Sequence, residues 1–121
     1  MREVRENLGG DQVIAEGIEL WGKISGDVRV IEGGKFYMRG AIYGSLYVEY
    51  GGRVHIFGHI DGNLHVFRGA KVIHSGLISG NATNDGGRLY IDRDAKILGK
   101  VKTLRGETEH QPSDELPDEY K

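Results

Sequence analysis

The sequence predicts an all-β protein, a three-sided parallel β-helix (β-solenoid) with about 18 residues per coil, on three observations. The first is repetition. Gly22-Lys-Ile24-Ser-Gly26-Asp-Val28-Arg-Val30 recurs as Gly40-Ala-Ile42-Tyr-Gly44-Ser-Leu46-Tyr-Val48 and as Gly58-His-Ile60-Asp-Gly62-Asn-Leu64-His-Val66, and a fourth copy opens at Gly76-Leu-Ile78-Ser-Gly80. A unit this short cannot bury its own apolar face and must stack on its neighbours. The second is that apolar residues fall into columns at that period. The third is glycine, 20 of 121 residues against an average near 7%, without a collagen period, which points to tight corners repeated many times.

In chain order, Met1 to about residue 12 mixes alternating charges with a Gly9-Gly10-Asp11 turn and reads as a flexible lead-in. The β-helix domain is expected over residues 13–104. Ile18-Glu-Leu20-Trp-Gly22 alternates as a strand should and is placed in an incomplete first coil. Five columns follow: Ile24, Ile42, Ile60, Ile78; then Val28, Leu46, Leu64, Ala82; then Val30, Val48, Val66, Asn84; then Ile18, Phe36, Val54, Val72; then Leu20, Met38, Ile56, His74. Each column needs its side chain pointing the same way in every coil, which parallel strands about 4.8 Å apart provide. The glycines stack between the columns, where a short strand must bend into the next face, and three corners per repeat give three sides.

After Gly80 the register breaks. Leu89-Tyr-Ile91-Asp-Arg-Asp-Ala95-Lys-Ile97 matches Leu46-Tyr-Val48-Glu-Tyr-Gly-Gly52-Arg-Val54 at an offset of 43 rather than 36. That spacing predicts a loop of about seven inserted residues, Ala82 to Arg88, with Asn84-Asp-Gly-Gly87 supplying the turn. A last partial coil closes through Gly99-Lys-Val101, for four to five coils in all. Residues 105–121, with Glu107, Glu109, Asp114, Glu115, Asp118 and Glu119 beside Pro112 and Pro117, read as a disordered acidic tail.

Composition excludes several functions. With no cysteine there is neither a disulfide framework nor a thiolate metal site, which fits a reducing compartment. A net charge of −2 gives no global attraction to nucleic acid or an anionic membrane. No apolar run approaches the ~20 residues of a membrane helix, so a soluble protein is expected.

The repeated G-x-I-x-G-x-L-x-V and G-x-V-x-I-x-G units, with Ile14-Ala-Glu-Gly17-Ile-Glu-Leu-Trp-Gly22 before them, resemble the bactofilins, bacterial polymer-forming cytoskeletal proteins, over Val13 to Val101. The resemblance implies a right-handed β-helix that polymerises end to end without nucleotide as a cytoplasmic scaffold at the inner face of the cell envelope. It implies envelope or membrane-associated partners, no cofactor, no nucleic acid and no small-molecule substrate, and therefore no enzyme. The chain departs from the family pattern at Asn84 and in an N-terminal segment with no evident apolar anchor.

The same six-residue apolar spacing occurs in left-handed hexapeptide helices, so a hexapeptide-repeat acyltransferase or metal-binding trimer is the alternative. Against it, the residue after each apolar position is never glycine. His55, His59 and His65 fall on outward positions, where converging imidazoles would be needed for zinc, and His74 falls on an inward one. No Ser-His-Asp order or phosphate loop stands out. The row Lys35, Arg53, Lys71 reads as a solvated edge. Outward aromatics Tyr43, Tyr47, Phe57 and Phe67, with Tyr37, Ile31, Ile73 and Leu77, form a candidate lateral contact. Because a solenoid leaves backbone groups and apolar columns open at its ends, the expected self-assembly residues are Ile18, Leu20 and Ile24 at one end and Ile91, Ile97 and Val101 at the other.

Overall fold

A computed structural model describes residues 1–111 and contains sixteen strands and no helix among them. The chain winds through about six coils, and every strand pairing is parallel. The first face stacks β1 (Arg2–Val4), β3 (Gly17–Leu20), β6 (Lys35–Met38), β9 (Arg53–Ile56), β12 (Lys71–His74) and the later half of β14 (Ala82–Ile91). The second stacks β4 (Lys23–Ile24), β7 (Ala41–Ile42), β10 (His59–Ile60), β13 (Leu77–Ile78) and β15 (Lys96–Ile97). The third stacks β2 (Gln12–Ile14), β5 (Val28–Val30), β8 (Leu46–Val48), β11 (Leu64–Phe67), the first half of β14 and the start of β16 (Val101–His110).

The five columns form a single core. Ile24, Ile42, Ile60 and Ile78 pair in register on the second face, and Val28/Leu46/Leu64/Ala82 and Val30/Val48/Val66/Asn84 do so on the third. All are buried, as are Phe36, Val54, Val72, Met38 and Ile56 on the first face. A period of two along each short strand sends these residues inward and the charged ones outward.

Two kinds of corner allow it. Between third and first faces Gly33, Gly51, Gly69 and Gly86 all have φ between +78° and +108°, a region that side chains with Cβ disfavour. Between first and second faces Gly22, Gly40, Gly58 and Gly76 lie directly over one another, and an added Cβ at Gly58 would collide with the Gly40 carbonyl oxygen.

Three expectations are corrected by the register. Residues 1–12 are not a free lead-in but most of a first coil: Arg2, Glu3 and Val4 pair with Ile18, Glu19 and Leu20, and Leu8 bridges to Ile24. The reading missed it because this coil is sixteen residues from the next, so its columns fall out of step with the period. Nor does a loop bulge out at residues 82–88. Leu89 stacks on Val72, not two coils from Leu46, because Gly86-Gly87 turns the same corner as Gly69-Ala70 with one residue fewer. The corner shortens the spacing to 17 residues, the next corner at Asp92 to Ala95 lengthens it to 19, and β14 runs through the first with a local shift of register. Finally, Arg105 to His110 belong to β16, paired with Asp85 to Ile91. Residues 112–121 of the expected acidic tail lie outside the described residues.

Candidate functional site

The two ends of the solenoid differ in chemistry. At the N-terminal end the first coil is tied down from one side only. Leu8 N donates to Lys23 O at 2.8 Å and Ser25 N to Leu8 O at 3.0 Å. The Asn7 side chain accepts from Lys23 N, and Gln12 Nε2 donates to Gly9 O. Among the described residues β1 pairs only with β3 and β2 only with β5, so the outer edges of both strands offer backbone groups to solvent. Inside the mouth lies a cavity of about 100 Å³ lined by Val4, Leu8, Ile14, Ile18, Leu20 and Phe36, with Arg2, Glu6 and Gln12 on its rim. Ile18, Leu20 and Ile24 therefore do not form the outermost layer; they sit beneath Arg2, Val4 and Leu8 and are buried.

The C-terminal end replaces apolar residues with hydroxyls. Ile91 is covered by His110 and buried, Ile97 is half-buried, and Val101 is 38% exposed. Above Asn84 and Leu89 the inward register positions pass to Thr103 and Thr108, whose hydroxyls lie 2.8 Å apart. Asn84 is fully buried where lower coils have valine. Its amide donates to Gly87 O, Glu107 O and Thr108 Oγ1, and its carbonyl accepts from Gly87 N at 2.9 Å. This closed set of bonds holds the shortened corner and leaves no buried polar side-chain atom without a partner among the described residues.

A polar ladder runs up the corner between second and third faces. Asp11 accepts from Asp27 N, Asp27 from Ser45 N, Ser45 from Asn63 N, Asn63 from Asn81 N and Asn81 from Lys100 N, all at 2.8–2.9 Å. The next rung, Lys100, has no acceptor to offer. Sequence reasoning missed this ladder although the signal is present: Asp27, Ser45, Asn63 and Asn81 each follow the second glycine of a repeat, where a short acceptor reaches the coil above.

The lateral aromatics do not form one patch. Tyr47 stacks on His65 at 5.0 Å on the third face, with Arg29 over its other side and Phe67 beyond. Phe57 stacks on His55 at 3.7 Å near the opposite corner, beneath Arg39 and edge-on to Tyr37. Tyr43 stands apart, exposed beside Lys23. Ile73, placed outward by register, is buried. Lys35, Arg53 and Lys71 do stack as a row, with Arg88 following.

The histidines have hydrogen-bond partners of their own. The Ser75 hydroxyl donates to Asp92 at 3.1 Å and so meets His55 Nε2, 3.0 Å away, as an acceptor, the reverse of the order in which an imidazole activates a serine. Burial, with Arg39 adding repulsion, pushes the His55 pKa down to about 4. His59 contacts Ser79 and Asp61, and no three metal-ligating side chains converge among the described residues. A surface groove of about 590 Å³ runs past Arg29, Tyr50, Phe67, Arg68 and Arg105; Glu49 and Asp85 already pair with Arg29 and Arg105.

The fold thus defines a parallel β-solenoid whose first coil sets Arg2, Val4, Leu8, Gln12 and Ile14 at inward register positions and whose last sets Ile97, Val101, Thr103, Thr108 and His110 there. Comparison with protein-family models, curated proteins and solved structures gives no match for the chain. Among the described residues no helix is long and apolar enough to cross a membrane.

Proposed function

We propose that this chain is a self-assembling structural protein, a bactofilin-like scaffold that stacks end on end through its terminal coils without nucleotide or cofactor, at the inner face of a cell envelope. The observation that carries the reading is that strands of the terminal coils are paired on one side only, β1 with β3, β2 with β5 and β16 with β14, beside a small cavity at the first coil. Exposed edges of parallel strands are templates for another chain; Arg2 and Glu3 put charge on the edge of β1, and the longer edge of β16 is likewise paired on one side only, with β14. A regular filled core supports a role as spacer, while the ends supply adhesion.

Light scattering after size exclusion, with negative-stain microscopy and no added nucleotide, tests this. Species heavier than the 13.4 kDa chain are expected, and Leu8→Arg at the mouth is expected to reduce them while circular dichroism still reports β-structure. A wild-type protein that stays monomeric at about 100 μM, where even a weak self-contact would be populated, would refute the proposal.

A further inference from the structure

We infer that the groove on the third face is a docking site for a short acidic segment of a partner protein, which sets a carboxylate on Arg68 and an adjacent apolar side chain on Phe67 and Tyr50. The groove lies on the flank of the solenoid, so the site stands apart from what the ends assemble with.

Register fixes its construction. Phe67 stands outward at the end of β11, paired with Asp85 in the coil above, and Glu49 follows Val48, the partner of Val66, in the coil below. Each carboxylate holds an arginine from one coil further out: Glu49 accepts from Arg29 at 2.6 Å and Asp85 from Arg105 at 2.9 Å. Two ion pairs thus bracket one aromatic ring, with their carboxylates two coil steps, or roughly 10 Å, apart. Tyr50 and Arg68 form the side at the corner. The Tyr50 ring lies against Gly69, where a Cβ would collide with it, and is 62% exposed.

Charge selects the ligand. Arg2, Arg5, Arg29, Arg39 and Arg105 each hold a carboxylate. Arg68 is exposed and makes no ion pair among the described residues, and neither do Arg53 and Lys71 just across the corner. The carboxylate of that corner column, Glu32, lies two coils lower, beneath Gly51. A guanidinium with no acceptor of its own suits a carboxylate, which it grips through two parallel N–H bonds. The neighbouring rings offer an apolar side chain a surface to cover.

Glu49 and Asp85 decide between polymers. Nucleic acid or polyphosphate carries charge on every unit and would run phosphates past both carboxylates. A peptide places neutral backbone there, and its N–H groups can donate to them, since a carboxylate has about four acceptor sites. A metabolite needs most of its surface enclosed, which a groove walled by an exposed tyrosine does not provide.

The test is fluorescence anisotropy of a labelled, C-terminally amidated peptide, Gly-Glu-Glu-Phe-Glu-Glu-Gly, titrated with the full chain at about 50 mM salt, where surface charge is only partly screened. Saturable binding is expected. Arg68→Glu should weaken it at least about tenfold, the loss that follows when a hydrogen-bonded charge pair becomes a like-charge contact. Lys23→Glu, on the second face, alters net charge equally and should change affinity less than about twofold. Phe67→Ala, which leaves the charge alone, should weaken binding about fivefold or more, with circular dichroism confirming that each variant keeps its β-structure. Absence of saturable binding at about 300 μM chain, an Arg68→Glu effect no larger than that of Lys23→Glu, or tighter binding of a labelled oligothymidylate than of the peptide would each overturn the assignment. None of these readings depends on whether the ends stack.

Discussion

His74 Nε2 lies 2.9 Å from the carbonyl oxygen of Lys96, one coil above it in the core. A carbonyl can only accept, so Nε2 carries the proton, while Nδ1 accepts from Gly76 N at 3.3 Å. The imidazole is thus locked neutral in one tautomer, and burial lowers its pKa. His55 is shifted the same way, to about 4. Between its folded value and the usual 6.5 the unfolded chain binds more protons than the folded one. Stability contributed by these neutral rings is therefore present above about pH 6.5 and is lost as pH falls toward 4. Urea unfolding at pH 7.5 and at 4.5 should show the loss, and His74→Met, matching Met38 in its column, should flatten the slope. At neutral pH the same change should cost about 1–3 kcal/mol, since Lys96 O and Gly76 N lose their partner.

Asn84→Val should destabilise, although valine fills the same column position in three lower coils. The substitution strands Gly87 N, buried behind Asn84, and removes the bonds to Glu107 and Thr108. A cost of about 2 kcal/mol is expected from urea melts, set by the unmet donor rather than by packing.

Gly58→Ala should be far more severe than a usual helix or strand glycine change. The added methyl meets Gly40 O and the carbonyl of Arg39, both backbone atoms, so the coils must separate locally. Loss of more than about 3 kcal/mol, or failure to fold, is expected by circular dichroism. Gly10→Ala, with open space around it but φ of +78°, should cost only about 1 kcal/mol.

Arg39 joins three groups at one corner: its Nε donates to Glu19 at 2.6 Å, and its guanidinium lies over Trp21 and Phe57 at 5.2 and 4.3 Å. That hydrogen bond is the main reason the Glu19 pKa is lowered. Lysine retains the charge but not the flat surface that stacks on two rings. Arg39→Lys should lower Tm by a few degrees in a thermal melt and shift Trp21 fluorescence, whereas Arg53→Lys, on an exposed position, should change neither.

Most of the core was legible because a solenoid writes one rule repeatedly: Ile24, Ile42, Ile60 and Ile78 announce both their periodicity and their direction. What escaped was whatever departs from that rule by one or two residues. The first coil is two residues short of the period and rich in charge, so Val4, Leu8 and Ile14 did not read as inward. The shortened corner at Gly86 mimicked an insertion, because Leu89-Tyr-Ile91 resembles Leu46-Tyr-Val48 as closely as it does the true neighbour Val72-Ile73-His74. With both ends displaced by a coil, Ile18, Leu20, Ile24 and Ile91 were placed at surfaces that lie one layer further out. The aromatic face failed for a different reason: Tyr43, Tyr47 and Phe57 share outward direction but not a side of the triangle.

The buried Asn84 also bears on how the chain finds its own order. Among the regular coils, looping out one whole repeat would leave every apolar column matched, since two periods align valine on valine as well as one does. Hydrophobicity alone cannot count to six. Asn84 completes its bonds beneath Glu107 and Thr108, and His74 beneath Lys96, so a threading that skips the coil above them takes away acceptors from a buried amide and a buried imidazole. These two side chains act as an address within a repeated text, penalising the wrong page where the words are the same.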